Sequence, residues 1–385
     1  MAARKGQGRL KLYMDGYISH LYLKLFGVVM LKKSIKFLLS GLAVLAFASS
    51  WAVAEDLPKT VRISVVAYNI AGKTTFMGQE VLLEQGGLGD ALAKKGIKIE
   101  WVPAATAQTG PIINEGFANG SIDFASYGDL PPIILNSAQS ISQLVVPWGR
   151  SSNTYLVVPA NSTAKTIQDL KGKRIALHRG RPWEIAFANL VESQGLTLKD
   201  FKIVNVNPQV GAASLASGSV DAFVSLTDAY NLEDKKVGKI IWSTKNSPAD
   251  WKLFGGLWGS NEFVQKYPEI TQIIANSYVK ASYWISQDKN REQYIKEYAS
   301  QVQPESVIRR DYDNDSVSWK DRWSPLYDQA LTEHYRRSVA YARESGLIQN
   351  DIDLGKLLNP RFVNQAIKEL KIDNYWVNTT FQAKN

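Results

Sequence analysis

The sequence predicts an α/β fold of two similarly wound lobes followed by a helical C-terminal region. Strand-like and helix-like segments alternate from residue 61 to about 230, which is the pattern of sheets covered by helices. The alternation restarts at Arg174. A short phrase is also shared by the two stretches: Gly120-Ser121-Ile122-Asp123-Phe124 returns as Gly218-Ser219-Val220-Asp221-Ala222-Phe223. Both copies follow a helical segment and enter a strand.

The elements follow in order. Val61 to Val65 alternates as a strand, extended by Val66-Ala67. Gly78 to Lys95 is helical and is broken by Gly86-Gly87, and Ile97 to Val102 is a second strand. Ile112, Ile113 and Phe117 have helical spacing that stops at Gly120, and Asp123 to Ser126 is a strand. Asp129-Leu130-Pro131-Pro132 opens a helix, because Asp caps and Pro suits the first turn. Ile141 to Trp148 is again strand-like. In the second half Arg174 to Leu177, Lys202 to Val206 and Val220 to Ser225 are strands. Trp183, Ala186, Phe187, Leu190 and Val191 form one helical face, and further helices cover about 209–217 and begin near Thr227. The sheets are expected to be mainly parallel. After residue 260 long apolar stripes predict helices, one from Ile270 to Ile285 and one from Tyr327 to Ala342.

The 385 residues carry 45 Lys+Arg, 36 Asp+Glu, three His and no Cys. Without cysteine there are no disulfides, thiol nucleophiles or thiolate metal sites. The formal charge of +9 suggests a polyanionic partner until the N-terminus is read. Residues 30–54 combine Lys32, Lys33 and Lys36, an apolar run from Phe37 to Ala48, and the small-x-small pattern Ala52-Val53-Ala54. That is a cleavable secretory signal, and it is too short to span a membrane. Residues 55–385 keep 37 bases and 35 acids, a charge of +2, so nucleic acid is not an expected partner.

In open α/β sheets ligands sit beyond the carboxyl ends of strands, where helix N-termini point. The loop His178-Arg179-Gly180-Arg181-Pro182-Trp183 leads from a strand into an amphipathic helix. Arg179 and Arg181 beside free first-turn amides make a candidate anion site, Gly180 permits close backbone approach, and Trp183 is a core or wall residue. Asn69 lies in a polar loop after the first strand, and this loop resembles a phosphate loop only poorly. Gly128 and Asp129 form a third loop, with Asp129 as expected N-cap. Thr227, Asp228 and Tyr230 hold the matching place in the second half. Arg150 and Ser151 fall where the chain crosses between lobes, and Trp258 falls near the return crossing, where Gly255-Gly256 and Gly259 read as a hinge or tight turn. No catalytic or metal-ligating constellation emerges. His334 lies on an apolar helical stripe and reads as structural.

The segments Asn119 to Pro132, Leu156 to Ser162, Thr166 to Ala176 and Ala216 to Phe223 together resemble the periplasmic substrate-binding proteins of the nitrate/sulfonate/taurine transport class. The aliphatic sulfonate-binding branch is the nearest. The resemblance implies a two-lobed periplasmic binding protein type II fold. Lobe 1 would comprise 55–152 and a return over 253–372 with the C-terminal helices, lobe 2 would comprise 153–252, and 373–385 would be a loose tail. It implies a monomeric periplasmic receptor, without cofactor or enzymatic activity, that carries a small organosulfur anion to a permease and its ATPase. The loop 178–183 is bulkier and more cationic than the family's small Gly/Ser loop, so aryl sulfonates and sulfate esters stand beside alkane sulfonates. A taurine or nitrate binder, or an enzyme or sensor on the same scaffold, is the alternative.

Overall fold

The computed structural model describes residues 57–70, 73–76 and 78–378. The expected signal segment lies outside the described residues, as does the side chain of Asn69. Among the described residues eleven strands run in chain order: β1 (Thr60–Ile70), β2 (Lys73–Phe76), β3 (Lys98–Ala105), β4 (Phe124–Gly128), β5 (Ser142–Pro147), β6 (Tyr155–Pro159), β7 (Arg174–Leu177), β8 (Lys202–Asn205), β9 (Ala222–Ser225), β10 (Gly238–Ser243) and β11 (Gly255–Ser260). They form two sheets. The first has the order β2-β1-β4-β11-β5, with β3 also on β1, and the second has the order β10-β6-β9-β7-β8. Each sheet has apolar clusters packed on its faces, one set around Ile63, Leu144 and Trp258 and another around Leu156, Phe187 and Phe223.

The sheets are mixed, not mainly parallel. Strand β1 runs parallel to β3 and β4, and β7 runs parallel to β8 and β9. Strands β6, β10 and β11 pair only antiparallel. They adjoin the two crossings between lobes, 148–154 and 244–255, which are bridged at Ser152 and Leu253. A chain that enters a sheet from its cleft edge must run against the strands that point toward that edge.

The glycines near 255–259 are strand residues rather than a hinge. A Cβ on Gly256 would collide with Leu144 Cδ1, and one on Gly259 would lie 2.7 Å from Val264 Cγ2 and 2.8 Å from Phe124 Cε1. Glycine is there to admit neighbouring core side chains.

The shared Gly-Ser-x-Asp phrase has a physical basis in both lobes. Arg62 at the start of β1 donates to both Asp123 carboxylate oxygens (3.1 and 2.6 Å) and to Gly120 O at 2.7 Å. Arg174 at the start of β7 does the same to Asp221 (3.1 and 3.0 Å) and to Gly218 O at 3.0 Å.

The helical region after β11 serves both lobes. The helix Pro268–Ser286 packs on the first sheet's core. The helix Glu305–Tyr312 lies on the second through Val307 beside Tyr155 and Tyr230. The start of the tail is packed, not loose: Trp376 is buried and its indole donates to Lys320 O at 3.1 Å, and Tyr375 meets Tyr283 edge-on at 4.6 Å. Among the described residues no helix is long and apolar enough to cross a membrane.

Candidate functional site in the interlobe cleft

The lobes meet around the loop 178–185. Arg181 leaves β7's end and reaches across to the first lobe, where its Nη2 donates to Thr106 O at 3.2 Å. Pro182 fills the space where a Cβ on Gly128 would sit. Tyr341, on the helix Gln329–Glu344, donates to Glu184 Oε1 at 2.8 Å. Ile185 is buried in the first lobe's core cluster, and Ile134 Cδ1 lies 3.6 Å from the Cβ position of Gly180, whose φ is +70°. This is a closed arrangement.

Three helix N-termini converge on Arg181. They belong to the helices Thr109–Ala118, Leu130–Ala138 and Pro182–Ser193, and none of the three carries a side-chain cap. The Cβ position of Gly110, in the first of them, is 2.6 Å from Arg181 Nη1 and 3.1 Å from Pro131 Cγ of the second. Uncapped first-turn amides with the positive end of a helix behind them favour an anion.

The charge at this point is unusual. Arg181 is only 5% exposed, no carboxylate among the described residues pairs with it, and its Nε has no hydrogen-bond partner. His178 Nδ1 and Trp183 Nε1 beside it are also buried without partners. The guanidinium sits 5.9 Å from the Trp183 ring centroid, and the His178 ring lies 6.1 Å from that indole. Burial pulls Arg181 down to about 10, so it stays charged at neutral pH. Burial, and then the Arg181 charge, hold His178 at about 4, so its ring is neutral.

The other expected ligand residues divide. Arg179 is tied within its own loop: its Nε pairs with the buried Glu184, which also accepts from Gly180 N. Asp129 is fully buried and does not cap its helix with its side chain. Its Oδ2 meets His334 Nε2 and accepts from Phe254 N at 3.3 Å. His334 Nδ1 meets Asp250 O at 2.8 Å, which fits the structural role expected of it. Arg150 is buried in an ion pair with Asp328 at 3.1 Å and lies 4.9 Å over Phe254, at the crossing rather than in the cleft. Ser151 is held there too, its N donating to Leu253 O at 2.8 Å and its O accepting from Arg322 at 2.6 Å. Trp258 is fully buried in the first lobe's core against Tyr127 and Tyr335. Tyr230 faces the helix Glu305–Tyr312, donating to Arg310 O at 3.1 Å. Thr227 is half-buried and Asp228 exposed at the start of the helix Ala229–Asp234, where Gln303 donates to Asp228. Burial, and then the Asp228 charge, push Tyr68 of β1 up to about 12.

Sequence reasoning missed Tyr68, Thr106, Gly110, Glu184 and Tyr341. Only the position of Glu184 near the start of an amphipathic helix offered a signal, since first-turn acids commonly serve that helix's own end.

The fold has close counterparts. Residues 81–253 match a family model described as the periplasmic substrate-binding protein of a phosphonate ABC transporter. A solved structure described as a putative sulfonate ABC transporter periplasmic sulfonate-binding protein, SsuA from Methylobacillus flagellatus, is 61% identical. It covers 85% of this chain and 99% of its own, with a TM-score of 0.78. The chain belongs to this family of periplasmic ABC-transporter binding proteins. A putative aliphatic sulfonates-binding protein of Bacillus subtilis is 23% identical over 288 residues, which is 74% of this chain and 83% of that protein. The family's two-lobed fold is also shared by a desulfurization enzyme, DszB, at 16% identity and a TM-score of 0.60, covering 81% of this chain and 99% of its own.

Proposed function

We infer that the protein is the soluble receptor of an ABC importer and that it holds one small organosulfur oxyanion between its lobes for delivery to a membrane permease. The observation that carries the reading is Arg181, a buried guanidinium with no carboxylate partner, ringed by uncapped helix N-termini. An unpaired buried charge costs several kcal/mol, about 3–5 by analogy with broken buried pairs. An anion in the cleft offsets that cost, and the exclusion of water strengthens each N–H···O contact. The named ligands of the 61%-identical structure and of the Bacillus relative, sulfonate and aliphatic sulfonates, have this chemistry.

Export through the Lys32–Ala54 segment, with cleavage near Ala54, and action as a monomer belong to the same reading. So does the absence of turnover: the chain has no cysteine for thiol chemistry, and the cleft loop offers one buried cation and a neutral imidazole. Ligand-dependent melting against alkane sulfonates, aryl sulfonates, sulfate esters, taurine and nitrate tests it. Sulfonates should raise the melting temperature by mass action and be recovered unchanged. A shift with nitrate alone, or conversion of the ligand, would reject it.

A further inference from the structure

The matching family model bears the word phosphonate, and the 61%-identical structure bears the word sulfonate. These head groups have similar shape and differ in charge. A sulfonate is a monoanion at every working pH, whereas a phosphonate loses a second proton near neutrality. The inference rests on the receptor reading above and concerns which of these charge states the cleft accepts.

The balance around Arg181 can be read element by element. On its own loop, Arg179 is neutralised by Glu184, and His178 is the other titratable group. On the helix start facing it from the first lobe, Thr109 and Gly110 carry no charge. On the neighbouring start, Asp129 meets His334 through Oδ2, while its Oδ1 has no partner among the described residues. At the helix start after β9, Asp228 accepts from Gln303. Lys252 and Arg322 pair with Asp315, and Arg150 pairs with Asp328, all at the crossings.

We propose that the cleft is matched to a single negative charge: Arg181 is the one uncompensated cation among the described residues of the site, so a fully ionised monoanion is accepted and a dianion is rejected. A second ligand charge would have only the uncapped helix ends to meet it. His178 stays neutral at working pH, so it does not supply the missing charge.

The test is calorimetric titration of the wild-type protein with ethanesulfonate and with ethylphosphonate, at pH values on both sides of the phosphonate's second ionisation. Ethanesulfonate should bind with the same affinity throughout, which also controls for titration of the protein itself. Ethylphosphonate should weaken as its dianion forms, by up to about tenfold per pH unit, because only its monoanion is a ligand. Dianionic ethylphosphonate that binds as tightly as ethanesulfonate, or more tightly, overturns the charge rule and leaves the receptor reading standing. No binding of ethanesulfonate, or of any aryl sulfonate or sulfate ester, at any pH removes the receptor reading, and the charge rule with it.

Discussion

Arg179 and Arg181 are two residues apart, carry the same group and have opposite fates. Arg179 is tied to Glu184, while Arg181 is buried beside three helix starts with no carboxylate partner among the described residues. Arg179→Ala should therefore cost binding far less than Arg181→Ala, and calorimetry on the two variants would separate them. Gly128 is as specific: its missing Cβ leaves the room that Pro182 occupies. Gly128→Ala should hold the lobes apart and weaken ligand binding by about tenfold or more while leaving the ligand-free melting temperature near the wild-type value. His178 gives a proton-linked signal. Its folded value near 4 lies below the ordinary 6.5, so the unfolded chain takes up the proton first. Stability of the ligand-free protein should fall as pH drops from about 6.5 toward 4. An anion beside Arg181 opposes that electrostatic push, so NMR titration of the ring should show the His178 value rising on saturation with sulfonate.

At the scale of elements, the Arg62–Asp123 and Arg174–Asp221 clamps explain why one short phrase occurs twice. In each, an arginine at a strand start holds the turn that delivers the neighbouring strand. Asp123 is the more buried carboxylate, with 9% of its side chain exposed against 35% for Asp221. Asp123→Ala should cost about 2–3 kcal/mol in urea denaturation and Asp221→Ala less. The hydrogen bonds from Arg174 hold Asp221 below the usual carboxylate range. Its contribution is thus present at neutral pH and is lost as pH falls through that lowered value. The phrase was visible in the sequence; its arginines were not, because they lie 61 and 47 residues away. The central helices and the parallel strands were legible from periodicity and glycine stops. Strands β6, β10 and β11 were not, since their pairings are long-range. In β11 the glycines that look like a hinge are there to make room for Leu144, Val264 and Phe124.

At the scale of the whole molecule, the closed state is secured by contacts that need no ligand. Glu184 meets Tyr341 across the cleft, Pro182 seats on Gly128, and Ile185 enters the first lobe's core. Tyr341→Phe should shift the ligand-free protein toward an open form, read as an increased radius of gyration in solution scattering, and sulfonate should restore the closed value. The crossings are fixed by Lys252 and Arg322 on Asp315 and by Asp129–His334; Arg150 and Ser151, candidates by their place at a crossing, and Asp129, a candidate by its loop, have structural partners there. Order along the chain marks which loops approach the cleft; which side chains turn into it is decided by packing with segments distant in sequence, as Arg181 on Thr106 and Tyr341 on Glu184 show.

The central claim is that one buried, unpaired guanidinium holds the ligand's charge. Calorimetric titration of ethanesulfonate into the wild-type protein and into a folded Arg181→Ala variant tests it most directly. The account predicts that affinity falls by at least about tenfold in the variant; equal affinity in the two proteins would contradict it.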